Sequence, residues 1–234
     1  KNERLAAIGV AVAGISHYVK NILAGMSGSK SLIQLGLSQG DMSLIKECWP
    51  IFERSQEKIG GLVKDMLTFS KERVPDFQPG DLNSLGAEIV HECTGLAADR
   101  GVALEVEPDP TMPPTLFDPL QMHDCALNLL NNAIDACSKL KDAKIVVRTR
   151  ALAGGEWLAI AVEDNGCGIP AEDIPRLFEP FFSTKGSKGT GLGLAVVRKI
   201  VTEHGGDVTV DSVPGKGTTF EIRIPARSID DWGG

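Results

Sequence analysis

Long apolar runs are missing from this sequence. No stretch of its 234 residues approaches the roughly 20 consecutive apolar residues that a helical membrane span requires, and no signal peptide is visible. Membrane attachment is therefore expected only through a segment upstream of Lys1. Positive charge is also in short supply: 24 Lys and Arg stand against 31 Asp and Glu, a net charge of −7. A sequence-independent grip on nucleic acid or on an anionic membrane surface needs clustered cations, so neither partner is expected. Cysteine is sparse and scattered. Cys48, Cys93, Cys125, Cys137 and Cys167 are odd in number and contain no CxxC pair, which argues against a disulfide framework and a zinc site and makes a reducing cytoplasm the simplest location. What is present is ordinary for a soluble globular chain: 42% hydrophobic and 24% charged residues, enough to bury a core in one large domain or two small ones.

The first third of the chain reads as two helices. Leu5, Ile8, Val12, Ile15, Val19, Ile22 and Met26 follow a strict 3-4 spacing, the seam of a coiled coil. After "SQGD", where Gly40 can end one helix and Asp41 cap the next, the seam resumes at Ile45, Cys48, Phe52, Ser55, Ile59, Leu62, Met66 and Phe69. Val63 and Leu67 widen the second apolar face beyond one seam. A lone hairpin cannot bury that width, so the pattern predicts an antiparallel helical hairpin that forms a four-helix bundle as a homodimer. The cluster "GMSGSK" at 25–30 is expected to weaken the first helix, and Pro50 to bend the second. In this register His17 falls at the f position, pointing away from the bundle, with Lys20 and Asn21 on the same face.

"RVPDFQPGD" at 73–81 reads as a linker or short edge strand. Beyond it, helices are expected over 82–100, 118–140 (capped by Asp118, with Pro119 in the first turn) and 190–204. Strands are expected at "VALEV", "KIVVRTRAL", "EWLAIAVED", "DVTVDS" and "GTTFEIRIP". Mixed helices followed by runs of adjacent strands predict an α/β sandwich, one sheet with helices on one face. The predicted organisation is 1–73 hairpin, 74–81 linker, 82–226 α/β domain and 227–234 tail.

Four stretches in the α/β domain could carry chemistry together. Asn128 and Asn132, at i and i+4 on one helix face, can offer amide oxygens to a hard cation such as Mg²⁺. Asp164 ends a strand in "DNGCGIP" and, beside Gly166 and Gly168, can accept a hydrogen bond from an exocyclic amine. "FEPFFSTK" precedes "GTGLGL", whose Gly189, Gly191 and Gly193 allow a backbone to approach phosphates at the start of a helix.

In this order and spacing the four stretches resemble the N, G1, F and G2 boxes of the sensor histidine kinases, and "ISHYVKNIL" resembles their phosphoacceptor box. The resemblance spans residues 1 to about 226. It implies a dimerisation and phosphotransfer hairpin followed by an ATP-binding domain of the histidine kinase/gyrase type. It further implies ATP and Mg²⁺ as cofactors, a response-regulator receiver domain as partner, and a cytoplasmic site of action. By the same resemblance His17 would be the phosphoacceptor and Asn21 a residue that positions water for dephosphorylating the regulator. Asn132 would bind Mg²⁺ with Asn128 as its neighbour, and Asp164 would recognise adenine with Gly166 and Gly168 in support. Thr184, Lys185, Gly189, Thr190, Gly191, Leu192 and Gly193 would belong to the lid and the phosphate side.

Three positions distinguish this chain within the pattern. Where ATP-hydrolysing relatives carry a glutamate that activates water, it has Asn128, which cannot act as a base near neutral pH, so transfer to His17 is favoured over hydrolysis. Where many kinases have an acidic residue after the histidine, it has Tyr18; where many have a lysine, it has Asp135, also counted with the nucleotide-binding face. Tyr18 keeps a second reading in play, a nucleotide-binding pseudokinase scaffold that regulates a partner without phosphotransfer. His91, His123 and His204 lack a second ligand at metal spacing and read as structural.

Overall fold

The computed structural model describes residues 2–70, 74–138, 140–184 and 189–231, without the side chains of residues 2–15, 17 and 70. It divides into two compact units: residues 1–72 together with 179–193, and residues 73–178 together with 194–234.

In the first unit, helices α1 (Asn2–Gln39) and α2 (Met42–Ser70) form a hairpin. Gly40, at φ 68°, ends α1 in the left-handed region, and Asp41 Oδ1 accepts from the N–H groups of Ser43 (3.0 Å) and Leu44 (3.1 Å), capping α2. The glycines and serines at 25–30 do not interrupt α1. Ser29 donates back to the Gly25 carbonyl at 2.8 Å, and a Cβ on Gly25 would lie 3.3 Å from Ser55 Oγ on α2. The absence of a side chain at Gly25 lets the helices approach closely there, which offsets its poor helix propensity. Helix α2 likewise continues through Pro50, which lies on its exposed face between the more buried Cys48 and Phe52.

In the second unit, strand β1 (Gln78–Gly80) pairs antiparallel with β3 (Thr115–Phe117), so part of the expected linker is an edge strand. Helix α3 (Leu82–Asp99) starts at Asp81, whose side chain accepts from Asn83 N–H. Strand β2 (Val102–Glu107) runs parallel to β4 (Ala143–Leu152). Strands β5 (Trp157–Asp164), β6 (Asp207–Val213) and β7 (Gly217–Pro225) complete an otherwise antiparallel sheet in the order β2-β4-β5-β7-β6. Helices α4 (Pro119–Cys137) and α5 (Gly193–Glu203) follow β3 and precede β6. Ile145 and Val147 on β4 and Leu158, Ile160 and Val162 on β5 share one buried face. A Cβ on Gly86 of α3 would touch Thr149, Val147 and Ile160 on that face. Burying a side chain such as Ile160 contributes about 1.5–3 kcal/mol. The opposite face is charged: Arg148 pairs with Glu107 and Glu163, and Lys144 with Glu105.

Asp118 joins these elements at the start of α4. Its Oδ1 accepts from Gln121 N–H (3.0 Å), its Oδ2 from Asp76 N–H (3.1 Å), and its own N–H donates to His204 Nε2 (3.0 Å). His204 is 1% exposed and its Nδ1 lies 2.8 Å from the Ile200 carbonyl, so the neutral ring holds α5 to α4. Burial pushes its pKa below the usual imidazole value. The chain beyond residue 226 is anchored where it begins, because Arg227 N–H donates to Thr115 Oγ1 and its guanidinium lies over the Phe77 ring.

Candidate functional site

Helix α4 carries the first part of the site. Its apolar side, with Met122, Leu129, Leu130 and Ile134, is in the core. At 100° per residue, Asn128, Asn132 and Asp135 fall within about 60° of one another on its other side. Asn128 and Asn132 are half-buried, and Asn132 Nδ2 donates to Asn128 Oδ1 at 3.1 Å. Asp135 is exposed and pairs with Arg100, the residue that closes α3.

Asp164 carries the second part. It ends β5 on the buried face, 6% exposed. Its Oδ1 accepts from Gly166 N–H at 2.8 Å, and the Thr218 backbone also hydrogen-bonds to the carboxylate. Burial outweighs these donors and pushes its pKa up to about 6. The turn that follows admits no side chain at its two glycines. A Cβ on Gly166 would lie 2.6 Å from Asp164 Oδ1, and one on Gly168, at φ 66°, would lie 2.2 Å from the Val213 carbonyl.

Two residues that shape this region, Asn165 in the turn and Gly217 at the start of β7, had no role in the sequence reading. Asn165 Nδ2 donates to the Asp142 carbonyl (2.7 Å) and its Oδ1 accepts from Lys144 N–H (2.8 Å), tying the turn to the start of β4. Gly217, at φ 123°, passes so close to Asp164 that a Cβ would sit 1.9 Å from the Asp164 carbonyl oxygen. "DNG" after a strand hints at the first; only tertiary packing reveals the second.

The glycine-rich stretch belongs to the first unit, with α5 starting at Gly193 rather than at 190. Gly191 takes φ 66°, its carbonyl accepts from Phe181 N–H (2.8 Å), and Leu192 N–H donates to Thr190 Oγ1 (3.1 Å). Leu192 is fully buried in a cluster with Tyr18, Ile22 and Leu62, against which Val19, Met26, Ile59 and Phe181 pack. Its side chain is thus committed to an apolar cluster, and only its backbone is available to a ligand. Thr184 is exposed; Gly189 and Thr190 are half-buried; Lys185 lies outside the described residues. His17 lies within α1, but its side chain is outside the described set. Asn21, one turn on, is exposed. Tyr18 is buried, and burial, followed by the charge of Asp65, pushes its phenol pKa up.

A sheet backed by α3 and α4, with an amide pair on one helix and a buried carboxylate before a glycine turn, defines an ATPase-type domain. Residues 117–228 match the family described as histidine kinase-, DNA gyrase B-, and HSP90-like ATPase. The chain is 34% identical over 236 residues to the sensory histidine kinase/phosphatase NtrB of Rhodobacter capsulatus, covering 96% of this chain and 64% of that protein. It is 35% identical over 227 residues to the signal transduction histidine-protein kinase AtoS of Escherichia coli, covering 95% of this chain and 36% of that one. Among solved structures, the histidine kinase ThkA in complex with the response regulator TrrA matches 99% of this chain and 65% of its own, with a TM-score of 0.75 and 26% identity. Residues 117–228 thus carry that ATPase family's pattern, and over 95–96% of its length the chain is similar to sensor histidine kinases. It spans 64% and 36% of the length of the two curated relatives named. Among the described residues no helix is long and apolar enough to cross a membrane.

Proposed function

We propose that this chain is the kinase core of a two-component sensor: it binds ATP and Mg²⁺, phosphorylates His17, and passes the phosphoryl group to an aspartate of a response-regulator receiver domain. The observation that carries this reading is Asp164. A carboxylate buried at a strand end, fixed by backbone donors and bordered by glycines that keep the space beside it clear, suits an exocyclic amine such as that of adenine. The α4 amides fit the metal. Among the described residues no three His, Cys, Asp or Glu side chains form a metal-binding group, so Mg²⁺ would be held by the amide oxygens of Asn132 and Asn128 together with oxygens of the nucleotide.

Bound ATP supplies a phosphoryl group whose charge the metal offsets. His17 takes it: an N–P bond forms as the bond between the γ-phosphorus and the bridging oxygen breaks, leaving ADP. Asn128 cannot deprotonate water, which directs the group to the imidazole. Asn21 serves the reverse traffic, orienting water toward the phosphorylated regulator. The apolar hairpin faces left exposed, including Leu23, Leu35, Trp49, Ile51, Val63 and Leu67, suit a second copy of the chain.

The test is incubation with γ-labelled ATP and Mg²⁺. Label that is acid-labile, alkali-stable, absent from His17→Ala and transferable to an added receiver domain is expected, with Asn21→Ala prolonging its life on the receiver. Measurable ATP binding without any label would instead favour the regulatory scaffold.

A further inference from the structure

The pair Arg100–Asp135 joins the end of α3 to the polar side of α4. Arg100 is held firmly as a backbone position: its N–H donates to the Ala97 carbonyl, that of Gly101 to the Ala98 carbonyl, and Gly101 at φ 67° then turns the chain into β2. Its partner is a carboxylate one turn beyond Asn132, on the same arc of α4 as the amide pair. An anion there stands beside the place where the proposed reading puts a polyphosphate, and it would repel that polyphosphate. Both side chains are partly exposed, 36% for Arg100 and 44% for Asp135, so the pair adds little to stability by itself. Its effect on a highly charged ligand nearby is a different matter, because repulsion grows with the ligand's charge.

Resting on the nucleotide-binding reading above, we propose that Arg100 is a positioning residue for the triphosphate: it neutralises Asp135 and so makes the metal-binding side of α4 acceptable to a polyanion. Arg100 acts through Asp135. The carboxylate, left alone, is the obstacle.

The experiment measures binding of ATP, ADP and adenosine to the whole chain by calorimetry with Mg²⁺ present, at low and high salt. Arg100→Met is expected to weaken ATP about five- to tenfold at low salt, ADP less and adenosine not at all, with the loss shrinking at high salt. Asp135→Asn in the same chain should restore ATP affinity to Arg100→Met, and alone should tighten it, because the Arg100 cation is then unopposed. Equal losses for ATP and adenosine would make the pair a structural tie and overturn the proposal, as would failure of Asp135→Asn to rescue. If the wild-type chain binds adenosine but gains nothing from the phosphates, the proposal falls while the adenine pocket stands. If it binds none of the three, the nucleotide reading itself falls.

Discussion

Asp164→Asn separates the two demands on this carboxylate. In the unfolded chain the group titrates near 3.9; in the folded chain burial raises its pKa to about 6. A raised carboxylate pKa means that the contribution to stability is fully present below the unfolded pKa and is lost as pH rises through the folded one. Two units correspond to about 3 kcal/mol at neutral pH. The asparagine variant escapes that cost but gives up an acceptor: its amide oxygen can keep Gly166 N–H, while its amide nitrogen cannot accept from Thr218, a loss of about 1 kcal/mol. Urea melts followed by tryptophan fluorescence should therefore show the variant slightly less stable than wild type at the acid end. It should be more stable, by about 1–2 kcal/mol, above the folded pKa, with the sign changing between the two pKa values. Other titrating groups cancel in the difference. Nucleotide binding should move oppositely, weakening about 10- to 100-fold because a donor now faces the amine. A stability difference that stays flat across this range would refute the burial argument, and undiminished ATP binding would refute the adenine assignment.

Two further outcomes follow from buried rings. The His204 pKa is lowered by burial, so its contribution is present above the usual imidazole value near 6.5 and is lost as pH falls through the folded pKa; His204→Gln should flatten that acid-side loss in the same melts. Tyr18→Asp should destabilise the hairpin cluster by about 2–4 kcal/mol, because it buries a carboxylate among Ile22, Leu62 and Leu192, whereas Tyr18→Phe should cost about 1 kcal/mol or less. A Tyr18→Asp melt that overlays wild type would contradict the cluster.

Much of this was legible where local chemistry decides the outcome. Asp118 followed by Pro119 announces the start of α4, Gly40 and Asp41 announce the hairpin turn, and alternating strands announce the sheet. The placing of Asn128 and Asn132 on one side of α4 and of Asp164 at the end of β5 was readable because each is set by its own helix face or strand end. Strand β3 was not, since three residues are too few to display a period. The role of Gly25 was not readable either, because propensity is local while what this glycine permits is the close approach of Ser55 on α2. Nothing local predicts the Asp164 pKa either: it depends on burial and on Thr218, brought alongside only by the pairing of β5 with β7.

Tyr18 shows how such tertiary effects alter a functional expectation. A side chain buried with Leu192 and Phe181, its phenol pKa raised further, is no base for His17. Under the proposed function that need not stop the reaction. An imidazole with the usual pKa near 6.5 is mostly neutral above pH 7, and a neutral ring already presents a lone pair on one nitrogen. No proton has to leave before attack; the one on the other nitrogen can pass to solvent afterwards. An acidic neighbour would orient the ring and favour one tautomer, so its replacement by Tyr18 costs orientation rather than nucleophilicity. The hydroxyl is not what the site needs from this residue. Tyr18→Phe should accordingly keep its capacity for labelling, and loss of label in that variant would show that the phenol, not its packing, serves the transfer.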